Sequence, residues 1–306
     1  MRRAVGHVQA VTDVHLSVEA GRTLALVGES GCGKTTVGRS ILRLEQAQAG
    51  RVIFDGVDLL ELDAAAMRPY RQRLQIVFQD PLASLNPRMR VRDIVAEGMR
   101  SFGIGSDESD RTDRVAHLFE RVQLDAAQMW RYPHEFSGGQ RQRICIARAL
   151  AVDPQLIICD EAVSALDVSI QAQILNLLRE LQDELGLAYL FITHDLGVVR
   201  YLAHDVAVMY LGQIVESGPT AQIFESPSHP YTQGLLQAVP SVDPQRRGGA
   251  PPLSGDVPSP SAPPGGCYFH TRCPLVMDRC RSEPPPVASQ GAVSARCFLA
   301  PGSGSE

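Results

Sequence analysis

Gly28-Glu29-Ser30-Gly31-Cys32-Gly33-Lys34-Thr35-Thr36 is the stretch on which the fold turns. An apolar run, residues 24–28, leads into it, and a helix-forming segment follows. Glycines at its first, fourth and sixth positions let successive backbone N–H groups converge on one point. The N-terminus of the following helix adds the positive end of its dipole, so the loop is built to hold phosphate. In this pattern Lys34 reaches the terminal phosphates and the Thr35 hydroxyl ligates Mg²⁺. The strand–loop–helix context separates it from a chance glycine-rich turn.

Working outward, short apolar runs recur at residues 24–28, 74–78, 156–160, 188–193 and 206–210. Helical periodicity lies between them, as at 171–185, where Ile174, Leu175, Leu178, Leu181 and Leu185 share a face. Strands alternating with helices predict an α/β fold with a mainly parallel sheet. No strand signal appears between Pro81 and Leu150, which reads as a helical insertion. Within it, 107–122 predicts an amphipathic helix carrying Val115, Leu118, Phe119 and Val122 on one side. After Pro240 the composition shifts. Residues 250–264 are rich in Pro, Ser and Gly, as in an extended linker, and a cysteine-bearing tail follows.

The run Leu156-Ile-Ile-Cys-Asp160-Glu161 is a buried strand that ends in two acids. Asp160 emerges at the carboxyl edge of the sheet, where nucleotide sites form, and suits a Mg²⁺ contact. Glu161 suits the orientation of an attacking water. Isolated acids at a strand end also serve as helix caps, and Ser137-Gly138-Gly139-Gln140 also reads as a plain helix start.

Taken together and in order, these elements resemble the ABC (ATP-binding cassette) ATPases. Phe136-Ser137-Gly138-Gly139-Gln140 is similar to that family's signature sequence, Gln79 matches its Q-loop, Ser164-Ala-Leu-Asp167 its D-loop and His194 its switch histidine. The resemblance implies a P-loop ABC ATPase core with the helical insertion as a subdomain, about residues 81–150. It implies ATP and Mg²⁺ as ligands, with Thr35, Gln79 and Asp160 around the metal and Glu161, His194 and Gln79 in hydrolysis. Residues Gly28, Glu29, Ser30, Gly31, Cys32, Gly33, Lys34, Thr35 and Thr36 would hold the phosphates. Ser137, Gly138, Gly139 and Gln140 would act on ATP held by a second subunit in a head-to-tail dimer.

The flanks narrow the branch. Phe78-Gln-Asp-Pro-Leu-Ala-Ser-Leu-Asn-Pro-Arg-Met and Ser228-His-Pro-Tyr-Thr-Gln-Gly-Leu-Leu-Gln-Ala-Val-Pro240 resemble the oligopeptide/dipeptide importer subunits, the F-type ATPase above all. The implied domains are a nucleotide-binding domain over 1–226 and a C-terminal extension over 227–306. The implied function is ATP-driven uptake of di- or oligopeptides. The implied partners are a D-type ATPase subunit, two transmembrane permease subunits and an extracytoplasmic solute-binding protein. Cys267-x5-Cys273-x6-Cys280, with Cys297 beyond, resembles a motif that in some members holds a four-iron four-sulfur cluster; four thiolates also suit Zn²⁺. Two departures stand out: no Phe, Tyr or Trp precedes Phe54 to stack on adenine, leaving only His7 as a stand-in, and Ala162 replaces a proline common after the glutamate.

The bulk numbers fit. A net charge of −5 supplies no general attraction to nucleic acid, so no nucleic-acid partner is expected. With no apolar run of membrane-spanning length and no signal-peptide core, the chain is expected at the cytoplasmic face of a membrane, held by partners. The alternatives are the same motor for another solute such as nickel, an exporter, or a non-transport ATPase acting on DNA or ribosomes.

Overall fold

The computed structural model describes residues 8–238, 253 and 255–302. His7 lies outside them, as do residues 250–252 and 254 of the expected linker. In chain order the first elements are β1 (Thr23–Val27), α1 (Lys34–Ile41), β2 (Ile53–Phe54), β3 (Val57–Asp58), α2 (Ala64–Arg73) and β4 (Leu74–Val77). Four helices follow, α3 (Pro81–Ser84), α4 (Val91–Phe102), α5 (Glu108–Arg121) and α6 (Gly138–Leu150). Then come β5 (Leu156–Asp160), α7 (Val168–Leu185), β6 (Ala188–Thr193), α8 (Leu196–Leu202), β7 (Asp205–Tyr210) and β8 (Gln213–Pro219). The chain closes with α9 (Thr220–Glu225), α10 (Pro230–Gln237), α11 (Arg279–Ser282), β9 (Val287–Gln290) and β10 (Val293–Arg296). The described residues form two compact units, one drawn from 8–17, 23–37 and the described part of 193–302, the other from 18–22 and 38–192.

In the second unit β4, β5 and β6 run parallel, Ile76 opposite Ile158 and Ile158 opposite Leu190. Every residue of β5 and β6 is buried, which is why these segments read as continuous apolar runs rather than alternating ones. All regular structure between Pro81 and Leu150 is helical, as the sequence predicts. Asp107 caps α5, accepting from the Ser109 and Asp110 amides, so the expected helix lies within one residue of its predicted ends. Its apolar face, Val115, Leu118 and Phe119, is buried, and α5 packs on α4 and α6.

The first unit pairs β1 with β7 in parallel and then turns antiparallel, β7 to β8, β8 to β10 and β10 to β9. The last hairpin was not foreseen in a tail read as linker plus cysteines. Its signal is weak: a short alternation of Val and Ala with polar residues around Gly291, which has φ +62°. The core of this unit joins Val27, Val206, Val208, Tyr210, Tyr231 and Phe269, so the tail supplies part of the packing around the strand that leads into the phosphate loop. Tyr210 and Phe269 meet edge to face at 5.3 Å and 84°.

Beneath α10 lies a buried polar pair. Glu216 is 1% exposed and accepts from the Ser228 and His229 amides at 2.6 and 3.1 Å. His229 caps α10 with its Nδ1, which accepts from the Tyr231 amide at 3.0 Å. Burial pushes the Glu216 carboxyl up and the His229 imidazole down to about 3. An imidazole held neutral in the fold leaves the unfolded chain with the greater proton affinity. Its contribution to stability is therefore present above about pH 6.5 and is lost as pH falls toward 3. Glu216 acts in the opposite sense, favouring the fold at low pH. The His229→Asn variant keeps an acceptor at the cap and removes the titration. The unfolding free energy of the wild-type chain, read from urea titration, should therefore fall more steeply between about pH 7 and pH 5 than that of the variant, by up to about 1.4 kcal/mol per pH unit.

Candidate functional site

In the first unit, β1 ends at Val27 and the chain turns through Gly28–Gly33 before α1 begins at Lys34. Two of its glycines are dictated by close approach. A Cβ on Gly28 (φ +156°) would sit 2.1 Å from the Met209 carbonyl oxygen, and one on Gly33 (φ +108°) 2.0 Å from the Ala10 carbonyl oxygen. The Gly212 amide donates to the Cys32 carbonyl at 2.9 Å, tying the loop to the turn after β7. Gly31 and Ser30 lie exposed at its crest, Cys32 is buried with its thiol pushed up by burial, and Thr35 and Thr36 are half-buried in the first turn of α1. Lys34 is 5% exposed. Its Nζ donates to the carbonyls of Gly28 at 2.8 Å and Glu29 at 2.9 Å, which holds the ammonium over the loop.

Glu29 is held from the far end of the chain. Its carboxylate takes both Arg272 guanidinium nitrogens, at 2.6 and 3.0 Å, and its amide donates to the Tyr231 hydroxyl at 3.0 Å. Sequence reasoning placed Glu29 in the loop but missed Arg272 and Tyr231. Only the presence of an acid among phosphate-binding residues hinted that a cation must answer it. His194 is exposed just beyond β6, and Asp195 after it caps α8, accepting from the Gly197 and Val198 amides.

In the second unit Asp160 ends β5 and is 5% exposed. Glu161 follows in the left-handed region, φ 48°, an unfavourable conformation for a residue with a side chain and one that recurs at functional sites. It is held there by its amide, which donates to the Ile192 carbonyl at 3.0 Å, and by its carbonyl, which accepts from the Ser164 hydroxyl at 3.0 Å. Gln79, exposed after β4, donates through Nε2 to Glu161 Oε2 at 2.7 Å, so the fold brings these two predicted residues together. Ser137 caps α6 in a reciprocal box. Its amide donates to Gln140 Oε1 at 3.0 Å, and the Gln140 amide donates to Ser137 Oγ at 3.4 Å. Gly139 is required where Ile170 of α7 crosses, since a Cβ would lie 2.5 Å from Ile170 Cγ2. Ser137 and Gly138 face outward, and so do Ser164 and Asp167.

The ABC transporter family profile matches residues 11–164, from before the phosphate loop through Ser164. The chain belongs to the ABC transporter family. A second profile, the oligopeptide/dipeptide transporter C-terminal region, matches residues 215–280. This ABC protein is 53% identical over 280 residues to the probable peptide ABC transporter ATP-binding protein of Sinorhizobium fredii, covering 92% of this chain and 79% of that one. It is 49% identical over 289 residues to the oligopeptide transport ATP-binding protein AppF of Bacillus subtilis, covering 93% and 87%. Among solved structures it resembles cbiO1 of Clostridium perfringens, part of the ABC transporter complex cbiONQ. The TM-score is 0.64 and the identity 26%, over 71% of this chain and 84% of that one. It also resembles the dimeric ATP-binding cassette MJ0796 bound to ADP and Pi, with a TM-score of 0.63 and 28% identity over 69% and 90%.

In the tail, Cys267, Cys273, Cys280 and Cys297 all line one cavity of about 20 Å³. Among the described residues no group of three or more His, Cys, Asp or Glu side chains is placed to hold a metal ion, iron–sulfur or zinc. Burial pushes the Cys267 thiol up to about 11 and raises Cys273 and Cys297, which favours neutral thiols over thiolates.

The close packing of the phosphate loop gives a graded test. Gly28→Ala must displace the Met209 backbone and should lower stability by about 1–3 kcal/mol beyond its φ cost. Gly31→Ala has nothing within 4 Å of its new Cβ. It should show only the left-handed backbone cost, about 1–2 kcal/mol. Urea unfolding of the two variants compares them directly.

Proposed function

We propose that this chain is the ATP-binding and ATP-hydrolysing subunit of a peptide importer, coupling hydrolysis to uptake of di- or oligopeptides across a membrane. The observation that carries this is the complete phosphate loop between β1 and α1, with Lys34 held over it by the Gly28 and Glu29 carbonyls. The relatives covering over nine-tenths of the chain, named for peptide and oligopeptide transport, supply the cargo class.

On this proposal the phosphate loop and the start of α1 bind the phosphates of ATP, and Lys34 neutralises their charge. Thr35, Gln79 and Asp160 offer hydroxyl, amide and carboxylate oxygens, a hard donor set that suits Mg²⁺. Mg²⁺, when bound, offsets charge on the phosphate oxygens. Glu161 orients the attacking water and accepts its proton, Gln79 steadies the glutamate through their hydrogen bond, and His194 stabilises charge on the transferring phosphoryl group. Ser137, Gly138, Gly139 and Gln140 form an outward-facing helix start that serves nucleotide held by a second cassette. MJ0796, a similar cassette that is dimeric and bound to ADP and Pi, supports pairing with a second cassette. No step runs through the four cysteines.

The finer assignments belong to the same proposal: a boundary near residue 226 between nucleotide domain and extension, a D-type ATPase as the second cassette, two permease subunits and a solute-binding protein. No described helix is long and apolar enough to cross a membrane, so attachment to one would come through those permeases.

Three measurements test this. Glu161→Gln should bind ATP like the wild type and lose about 10²–10⁴-fold in turnover; unchanged hydrolysis would reject its role. Lys34→Ala should weaken ATP binding about 10–100-fold, the loss of charge-assisted contacts worth about 1.5–3 kcal/mol. Reconstituted with its co-purifying membrane partners, the chain should show ATPase activity stimulated by peptide. Recovery with ribosomes or DNA instead would overturn transport.

A further inference from the structure

Glu29 is an acid placed in a loop that, on the proposal above, binds a polyanion. All three of its polar groups are engaged: the carbonyl by Lys34 Nζ at 2.9 Å, the amide by the Tyr231 hydroxyl at 3.0 Å and the carboxylate by Arg272 at 2.6 and 3.0 Å. The pairing with Arg272 is bidentate, and its environment is asymmetric. The Arg272 side chain is 3% exposed, whereas that of Glu29 is 28% exposed. Arg272 also lies over the Tyr210 ring, its guanidinium carbon 5.8 Å from the centroid. Its backbone is fixed by turns of the cysteine segment. The Arg272 amide donates to the Phe269 carbonyl at 3.0 Å, and the Cys267 amide donates to the Cys280 carbonyl at 2.9 Å. Cys273 is its chain neighbour.

A buried guanidinium aimed at a loop carboxylate does two things. It cancels a negative charge that would repel phosphate, and it fixes the residue that positions Lys34. We propose that Arg272 is a positioning residue of the nucleotide site, neutralising Glu29 within the phosphate loop. Through it, ATP affinity depends on the conformation of the C-terminal cysteine segment. This rests on the loop's assignment as an ATP site.

The test titrates the full-length chain with a fluorescent N-methylanthraniloyl ATP at low and moderate salt, with thermal melts to confirm folding. Arg272→Ala should bind about tenfold more weakly, more so at low salt, because it exposes the nucleotide to an uncompensated carboxylate. Adding Glu29→Gln to Arg272→Ala removes that carboxylate and should restore affinity to within about threefold of the wild type. A purely structural role for Arg272 would show no such rescue. Unchanged affinity in Arg272→Ala, or a double variant as weak as the single one, would overturn the proposal. Arg272→Lys, which keeps the charge, guards against a misfolded alanine variant. Keeping the charge but losing the fork, it should fall between the wild type and Arg272→Ala, and a folded lysine variant weaker than the alanine variant would equally overturn the idea. A wild-type chain that fails to bind the analogue would sink the ATP-site assignment and this inference together; the variant results above bear on this inference alone.

Discussion

The tight contact between backbone and backbone around the phosphate loop constrains everything else in the first unit. The carbonyls of Met209 and Ala10 press to within about 2 Å of where side chains at Gly28 and Gly33 would begin. Only glycine permits this, and the result is a loop wedged between the end of β7 and the chain ahead of β1. Held that way, the loop presents Ser30 and Gly31 at the surface, while its Glu29 amide is tied back to the Tyr231 hydroxyl. The turn after β7 is drawn in by the Gly212 to Cys32 hydrogen bond, so the strand beside β1 doubles as scaffold for the loop.

A different constraint operates in the second unit. Glu161 occupies a left-handed conformation that its own side chain disfavours, and hydrogen bonds from three directions keep it there: to Ile192, from Ser164 and from Gln79. That geometry costs about 1–3 kcal/mol, which these hydrogen bonds offset. The capping box of Ser137 and Gln140 leaves the start of α6 ordered while Ser137 and Gly138 stay at the surface, and Gly139 lets Ile170 lie against its backbone.

Much of this was legible because local chemistry and fold agree. The strands at 156–160 and 188–193 were readable as unbroken apolar runs, and both are buried along their whole length. The helix at 107–122 was readable from its periodicity, and the structure adds the Asp107 cap. The parts that escaped depend on partners distant in sequence. The hairpin of β9 and β10 has little apolar character of its own and exists by pairing with β8. The ion pair of Glu29 and Arg272 spans 243 positions, and no periodicity or spacing encodes it. The four tail cysteines, spread over residues 267–297, are gathered around one small cavity, a convergence that spacing alone does not encode.

That long-range pair also orders events in time. A chain made from its N-terminus presents the phosphate loop early, but the guanidinium that answers Glu29 is synthesised 243 residues later. At about 5–20 residues per second, the interval is roughly 12–50 seconds. Tyr231 and Phe269, which pack around the strand leading into the loop, also arrive late. Through that interval the nascent loop holds an unanswered carboxylate, so the loop is completed only after the segment carrying Arg272 has emerged.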